Sequence, residues 1–280
     1  MNVTIEQIIK LSDSEYKYVN DRIDFKDADN DFISAFRSKD EAVYCIYDDN
    51  KPLGLVEFII EKNAYLYIYI NPLLRNRGFG SSVLELCEEK LVANNVENVM
   101  TRYINNDKEA KTFAYQKGYR RKFSSRYMKY TDGKFDVPDL PVKQYQDKYY
   151  ESAHEMYARV FHEMRKSVGD FPDSVVEQPN ENMRNNWSNT AYERFVYIQD
   201  DIVIGYAHIE GNCIGSISIR KEYQGQGFGR NFMKFICNEI LNKGYEEVFL
   251  YCVLGNNNAS KLYDSLNFRE LYTVEYAIKE

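Results

Sequence analysis

Apolar and polar residues alternate in short runs along the chain. EAVYCIYDD with LGLVEFII, and RFVYIQDD with VIGYAHIE, carry the strand period of two. Asp48-Asp49-Asn50 and Asp200-Asp201 separate the members of each pair, which predicts two hairpin turns. A third strand follows each pair, YLYIYI or GSISI, and then a glycine-rich loop and a helix. In the second instance that helix places Phe232, Met233, Ile236, Cys237 and Ile240 on one stripe. A buried strand (NVMTRYI or EVFLYCVL), a shorter helix and a closing strand (FSSRYMKY or LYTVEYAI) complete each series. Ahead of the hairpins, helical spacing is read in IEQIIKL and FISAF, and in SAHEMYARVFHEM. Each series predicts a mixed, mostly antiparallel α/β sheet flanked by helices.

The two series are copies. RNRGFG at 75–80 matches QGQGFG at 224–229, an offset of 149 that holds without a gap far downstream. Ile70 falls on Ile219, Ala110 on Ala259, Phe113 on Leu262 and Tyr127 on Tyr276. Upstream, Gly54 matches Gly205 at an offset of 151, which a longer hairpin in the first copy accommodates. Two domains of similar fold are therefore expected, at 1–135 and 145–280. A linker at 136–144 lies in a stretch with glycine, two prolines and several aspartates.

Composition narrows the function. The chain has 280 residues, 44% hydrophobic, which is globular and sufficient for two cores. Net charge is −7, with −1 in residues 1–136 and −6 in the rest, so nucleic-acid binding by phosphate neutralisation is not expected. The second half has the better bias for a cationic substrate, although a solvated acidic surface has the same charge. No apolar run reaches membrane-spanning length, and the N-terminus lacks a signal peptide's pattern, so a cytoplasmic protein without membrane contact is expected. Five scattered cysteines form no CxxC pair, and no metal site is expected.

A glycine-rich turn between a strand and a helix presents backbone N–H groups and a helix dipole to an anion. Gly225, Gly227 and Gly229 with Gln224, Gln226, Phe228 and Arg230 form that turn in copy two; Arg75, Gly78 and Gly80 mark it in copy one. Neither turn is a Walker loop or a complete GxGxxG. The pattern resembles the [RQ]xxGx[GA] motif of the GNAT superfamily of acetyltransferases. Copy two adds Asn256-Asn-Asn-Ala259-Ser-Lys-Leu262-Tyr263-Asp-Ser-Leu-Asn267-Phe268, similar to that family's NxxAxxLYxxxGF.

The resemblance implies an acetyl-coenzyme A-dependent N-acetyltransferase. The pyrophosphate would rest on the loop amides. The pantetheine arm would run between the strands at 213–219, including Ile217, Ser218 and Ile219, and at 247–253, with Asn256 helping to hold it. An amine, on a small molecule or peptide, would attack the thioester directly. Tyr263, placed by the family at the start of the late helix, would protonate the departing thiolate. His208 and Glu210 share one strand face and are candidates for the general base, although plain surface explains that face as well.

Copy one has Ala114 in the place of Tyr263, and Asp107 in the place of Asn256, where it would repel phosphate. Copy two is thus expected to be the catalyst and copy one to be degenerate. Glu163, Asp170 and Asp173 could hold a cationic acceptor, or simply form an acidic loop. A non-catalytic acyl-coenzyme A sensor or scaffold is the alternative. An aminoacyl-tRNA-dependent transferase fits less well with two phosphate loops and a negative charge.

Overall fold

A computed structural model describes residues 2–60, 63–94, 96–169 and 175–279. The first repeat contains β1 (Val3–Gln7), α1 (Asp13–Asn20), α2 (Asn30–Arg37), β2 (Val43–Asp48), β3 (Lys51–Ile59), β4 (Asn63–Ile70), α3 (Phe79–Ala93), β5 (Asn98–Ile104), α4 (Lys108–Gln116) and β6 (Arg120–Tyr130). The second contains β7 (Val142–Gln144), α5 (Tyr150–Ser167), α6 (Glu181–Asn189), β8 (Arg194–Gln199), β9 (Ile202–Glu210), β10 (Cys213–Ile219), α7 (Phe228–Asn242), β11 (Val248–Val253), α8 (Asn257–Asp264) and β12 (Arg269–Lys279).

The compact units are not the sequence repeats. One comprises Met1–Lys122 with Val274–Glu280, the other Phe123–Thr273. Each therefore takes its closing strand from the other repeat. In unit 1 the sheet order is β1-β2-β3-β4-β5-β12, with Val274 to Lys279 antiparallel to Ile104 to Val99. In unit 2 it is β6-β11-β10-β9-β8-β7, with Tyr130 to Ser125 antiparallel to Val248 to Val253. A division of the chain at 136–144 separates the repeats without separating the units.

Two further expectations change. IEQIIKL, read as helical, opens as β1 and continues as a 3-10 turn at Ile8–Lys10, because Val3–Gln7 pairs with β2 and alternates in burial. The linker contains β7, which pairs with β8, and Phe135, Leu140 and Val142 pack on the core of unit 2. The hairpin turns form as read: Asp49, Asn50, Asp200 and Asp201 all have left-handed φ, which suits the twist of two-residue hairpins. The tip of the longer first-copy hairpin, at 61–62, lies outside the described residues.

Strand alternation sends neighbouring side chains into different layers. In unit 1, Leu55, Tyr67 and Tyr69 meet Val19, Phe32 and Phe36 of α1 and α2, whereas Val56, Leu66 and Ile70 meet Val83, Leu84 and Cys87 of α3. In unit 2, Val196 and Tyr206 meet Met156 and Trp187 of α5 and α6, whereas Ile204, Leu250 and Cys252 meet Phe232, Ile236 and Ile240 of α7. The matched glycines have a steric reason. A Cβ at Gly54 would lie 2.0 Å from the Tyr69 carbonyl oxygen, and one at Gly205 would lie 2.8 Å from Ile219 Cδ1.

Candidate active site

Gly78 (φ 88°) and Gly227 (φ 90°) are the N-cap residues of α3 and α7, and neither helix has a side-chain cap. The first-turn amides therefore lack the usual helical partners and gather at the helix end, except that of Ser81, which donates to the Gly78 carbonyl at 3.0 Å. A 3-10 turn precedes each loop, at Pro72–Leu74 and Lys221–Tyr223. In unit 2, Gln224 Nε2 donates to the Ile219 carbonyl and Gln226 Nε2 to the Glu222 carbonyl, both at 2.8 Å, which fixes the loop from within. A Cβ added to Gly225 or Gly227 would meet nothing within 4 Å, so the loop opens outward. Phe228 packs on the core of this unit, and Arg230 donates to Ser265 Oγ at 2.6 Å, tying α7 to the end of α8.

In unit 1, Arg75 Nε donates to the Ile70 carbonyl at 3.1 Å, as Gln224 does in its own loop. Its fork is held by Asp27, at 2.6 and 2.9 Å. Burial disfavours the charge on Asp27, but the bonds from Arg75 and Tyr69 outweigh it and lower the pKa. Arg75 thus lines the site while its guanidinium is already engaged. Asp107 also differs from expectation. It caps α4 by accepting from the Ala110 amide at 2.9 Å, and it lies 3.5 Å from Arg75 Nη1, so its charge is balanced locally. Asn256 caps α8 in the same way, at 3.2 Å from the Ala259 amide.

Beside each loop, two parallel strands separate. β4 and β5 pair only from Asn63–Tyr65 to Asn98–Met100; β10 and β11 pair only at Cys213–Ile214 with Phe249–Leu250. Beyond those rungs the facing backbone groups leave the ladder and need other partners. A cavity of about 370 Å³ fills the gap in unit 1, bordered by Ile68, Gly78, Gly80, Phe113 and Ala114. The gap in unit 2 is about 140 Å³, bordered by Met164, Ile217, Asn256 and Tyr263. Ser218 instead turns its hydroxyl toward the Tyr206 carbonyl at 3.4 Å, and a Cβ added at Gly229 would lie 3.6 Å from Ile219 Cγ1. An anion-binding helix end beside a narrow cleft with unpaired amides suits a ligand with a diphosphate and an amide-bearing arm. Among the described residues no group of three or more His, Cys, Asp or Glu is placed to hold a metal.

Tyr263 occupies the last turn of α8 rather than its start, and it is 8% exposed. Burial, with the neighbouring Cys252 and Cys237, raises its pKa, so the phenol keeps its proton. Ala114 in the matching place removes a phenol ring from the unit 1 cavity, which contributes to its larger volume.

His208 and Glu210 share a face of β9, as alternation requires, but differ in exposure: Glu210 is 68% exposed at the side chain and His208 15%. Glu210 Oε1 lies 3.4 Å from His208 Nδ1, and Glu193 Oε2 lies 3.9 Å from Nε2. Burial, and then Arg194, outweighs both carboxylates and lowers the His208 pKa to about 4. Both side chains stand at Gly215, whose missing Cβ would lie 3.4 Å from each. Gly215 is the residue skipped where β10 shifts register against β9, a bulge that borders the unit 2 cavity. A glycine inside the strand GNCIGSISI was the available signal for this bulge; nothing local marked Glu193. Glu163 pairs with Lys221 at 2.8 Å, and Asp170 and Asp173 lie outside the described residues.

The lowered pKa of His208 has a consequence for stability. The unfolded imidazole binds a proton below pH 6.5, the folded one only below about 4, so stability is complete above 6.5 and falls as pH drops between these values. The full shift corresponds to at most about 3 kcal/mol. His154, buried without a hydrogen bond to either ring nitrogen, shifts in the same direction. His208→Gln should therefore flatten part of the decline in melting temperature between pH 6.5 and 4. An unchanged slope would show that His208 titrates normally.

Two family models match the chain. The Acetyltransferase (GNAT) family model covers residues 5–119, and the FR47-like protein model covers residues 183–277. A tandem GNAT protein from the clavulanic acid biosynthesis pathway has a TM-score of 0.71 at 14% identity, over 100% of this chain and 98% of that one. A GCN5-related N-acetyltransferase from Sphaerobacter thermophilus scores 0.67 at 16% identity, over 89% and 85%. These structural likenesses establish the fold. The uncharacterized protein YxbD of Bacillus subtilis (strain 168) is 32% identical over 73 residues, 26% of this chain and 46% of that protein, so the match spans about half the relative's length. With the loop, the parted strands and the late helix present in both repeats, the chain belongs to the GNAT acetyltransferase family as a tandem, two-domain member.

Proposed function

We propose that this protein is an acetyl-coenzyme A-dependent N-acetyltransferase whose chemistry takes place in unit 2. The observation that carries this reading is Tyr263, a protonated phenol on the border of the unit 2 cleft, in a repeat that also keeps an open Gly227 loop. Acetyl-coenzyme A supplies the activated acetyl group. The amides of Phe228, Gly229 and Arg230 hold its diphosphate, and the opened edge of β10 near Gly215 offers backbone donors to the thioester oxygen. The acceptor amine attacks the acetyl carbon, the carbon–sulfur bond breaks, and Tyr263 gives its proton to the sulfur. His208 (neutral above about pH 4) and Glu210 flank the bulge and can pass the amine's proton toward solvent. Val160, Phe161 and Met164 give the cavity an apolar wall from α5.

The larger cleft favours a second role for unit 1: binding coenzyme A without transferring its acyl group. Asp107 no longer argues against this, because Arg75 offsets its charge, whereas the alanine at 114 removes the proton donor. Titration calorimetry with coenzyme A should find two sites per chain. Gly229→Asp is the cleanest change in unit 2, since the backbone there needs no left-handed φ and a Cβ makes only ordinary contact. It should remove one site by placing a carboxylate against the phosphates. Retention of both sites in a folded Gly229→Asp protein would remove the loop from the donor site.

A further inference from the structure

We infer that the exchange of closing strands between the repeats is selected by charge. Residues 126 and 275 are equivalent at the offset of 149, yet one is arginine and the other glutamate. In unit 2, Arg126 of β6 reaches Asp264 of α8 at 2.9 Å and Glu270 at 2.7 Å. In unit 1, Glu275 of β12 accepts from Lys111 of α4 at 2.7 Å and from the Tyr103 hydroxyl at 3.2 Å. Each closing strand thus carries the charge that suits the late helix of the other repeat.

An unexchanged chain would reverse both matches. Arg126 would take the place of Glu275 and meet Lys111, while Glu275 would take the place of Arg126 and meet Asp264. The first substitution is the more costly, because the place of Glu275 is only 4% exposed and a buried arginine beside a lysine has no partner for its charge. Two further ion pairs follow the same rule. Lys129 pairs with Glu247 at 2.9 Å, and Lys279 pairs with Glu88. Without exchange, Lys129 would face Asn98 and Lys279 would face Cys237. The apolar pattern does not discriminate in this way, since Tyr127 and Tyr276 occupy the same register. Four charged residues, Arg126, Lys129, Glu275 and Lys279, therefore distinguish two otherwise similar strands, and each sheet edge accepts the closing strand whose charges match its own partners. This inference does not depend on the reaction proposed above.

The test uses the full chain. Arg126→Glu with Glu275→Arg places like charges in both units and should lower the melting temperature by roughly 5 °C or more at low salt. Adding Lys111→Glu and Asp264→Arg should recover most of that loss. Selection itself is read by a disulfide between cysteines introduced at Ser125 and Val253, which are register partners only in the exchanged arrangement. Peptide mapping should find this bond in the otherwise native chain. In the Arg126→Glu, Glu275→Arg background its yield should fall, in favour of a bond between Val253→Cys and Val274→Cys in a companion variant. An unshifted melting temperature, no recovery in the fourfold variant, or an undiminished Ser125→Cys–Val253→Cys bond after reversal would each overturn the inference.

Discussion

Replacing Tyr263 with phenylalanine should lower the turnover of acetyl transfer by about 10²–10⁴-fold and leave coenzyme A affinity almost unchanged. Phenylalanine keeps the ring that packs near Phe268, with centroids 5.9 Å apart, and removes only the hydroxyl. The donor contacts assigned to the loop amides are untouched. The lost interaction belongs to the step in which the sulfur leaves, so kcat and kcat/KM should fall together. Burial raises the phenol's pKa, which ensures that it holds a proton at neutral pH. A thiolate is less basic than this phenolate, so the proton passes to sulfur only as the carbon–sulfur bond breaks, and the phenol regains a proton from solvent. Ala114→Tyr should not restore activity to the variant, because unit 1 differs at the strand face as well: its counterpart of His208 is Glu57, which is bound to Arg102. Near-full turnover by Tyr263→Phe, with chemistry rate-limiting, would reduce Tyr263 to a packing residue.

The largest stability effect is expected at Arg102. Its guanidinium donates to Asp29 at 2.9 and 3.2 Å, to Glu57 at 3.1 Å and to the Tyr65 hydroxyl. Asp29 is 1% exposed and also accepts from the Phe32 amide as the cap of α2. Glu57 shows the strain of this arrangement, since burial raises its pKa despite the arginine. Arg102→Met would leave two buried carboxylates without their cation, a change that typically costs about 3–5 kcal/mol. Scanning calorimetry of the full chain should show that loss in the transition of unit 1. Adding Asp29→Asn and Glu57→Gln should return part of it by removing the orphaned charges. A loss under about 1 kcal/mol for Arg102→Met would mean that the pair network is solvated rather than buried.

Much of the fold could be read from the sequence because the repeat supplied each pattern twice. The hairpins at Asp49-Asn50 and Asp200-Asp201, the loops before α3 and α7, and the stripe on α7 rest on local chemistry that one segment contains. The strand exchange had no such signal. Closing strands from homologous repeats share spacing and apolar character, so only the partners of Arg126 and Glu275, far away in sequence, reveal which sheet each completes. IEQII satisfies helical spacing as well as alternation, and pairing with β2 decides for the strand at Val3–Gln7.

The site divides in the same way. The glycine loop, Asn256 and Tyr263 lie in two short motifs; Asn256 and Tyr263 border one cavity, which the loop residues do not line. Arg75 lies on the loop, but the partner that occupies it, Asp27, precedes it by 48 residues. Glu193 beside His208, and the Arg102 network that sets unit 1 apart from unit 2, likewise arise from tertiary contact rather than spacing.

The assignment of chemistry to unit 2 is tested most directly by thiol release from acetyl-coenzyme A across a panel of primary amines, comparing Gly229→Asp with Gly80→Asp. Both positions border the start of a glycine-loop helix, and at both a Cβ meets nothing closer than 3.4 Å. Amine-dependent thiol release should disappear in Gly229→Asp and persist in Gly80→Asp. Loss of turnover in Gly80→Asp while Gly229→Asp remains active would place the chemistry in unit 1 and contradict the assignment.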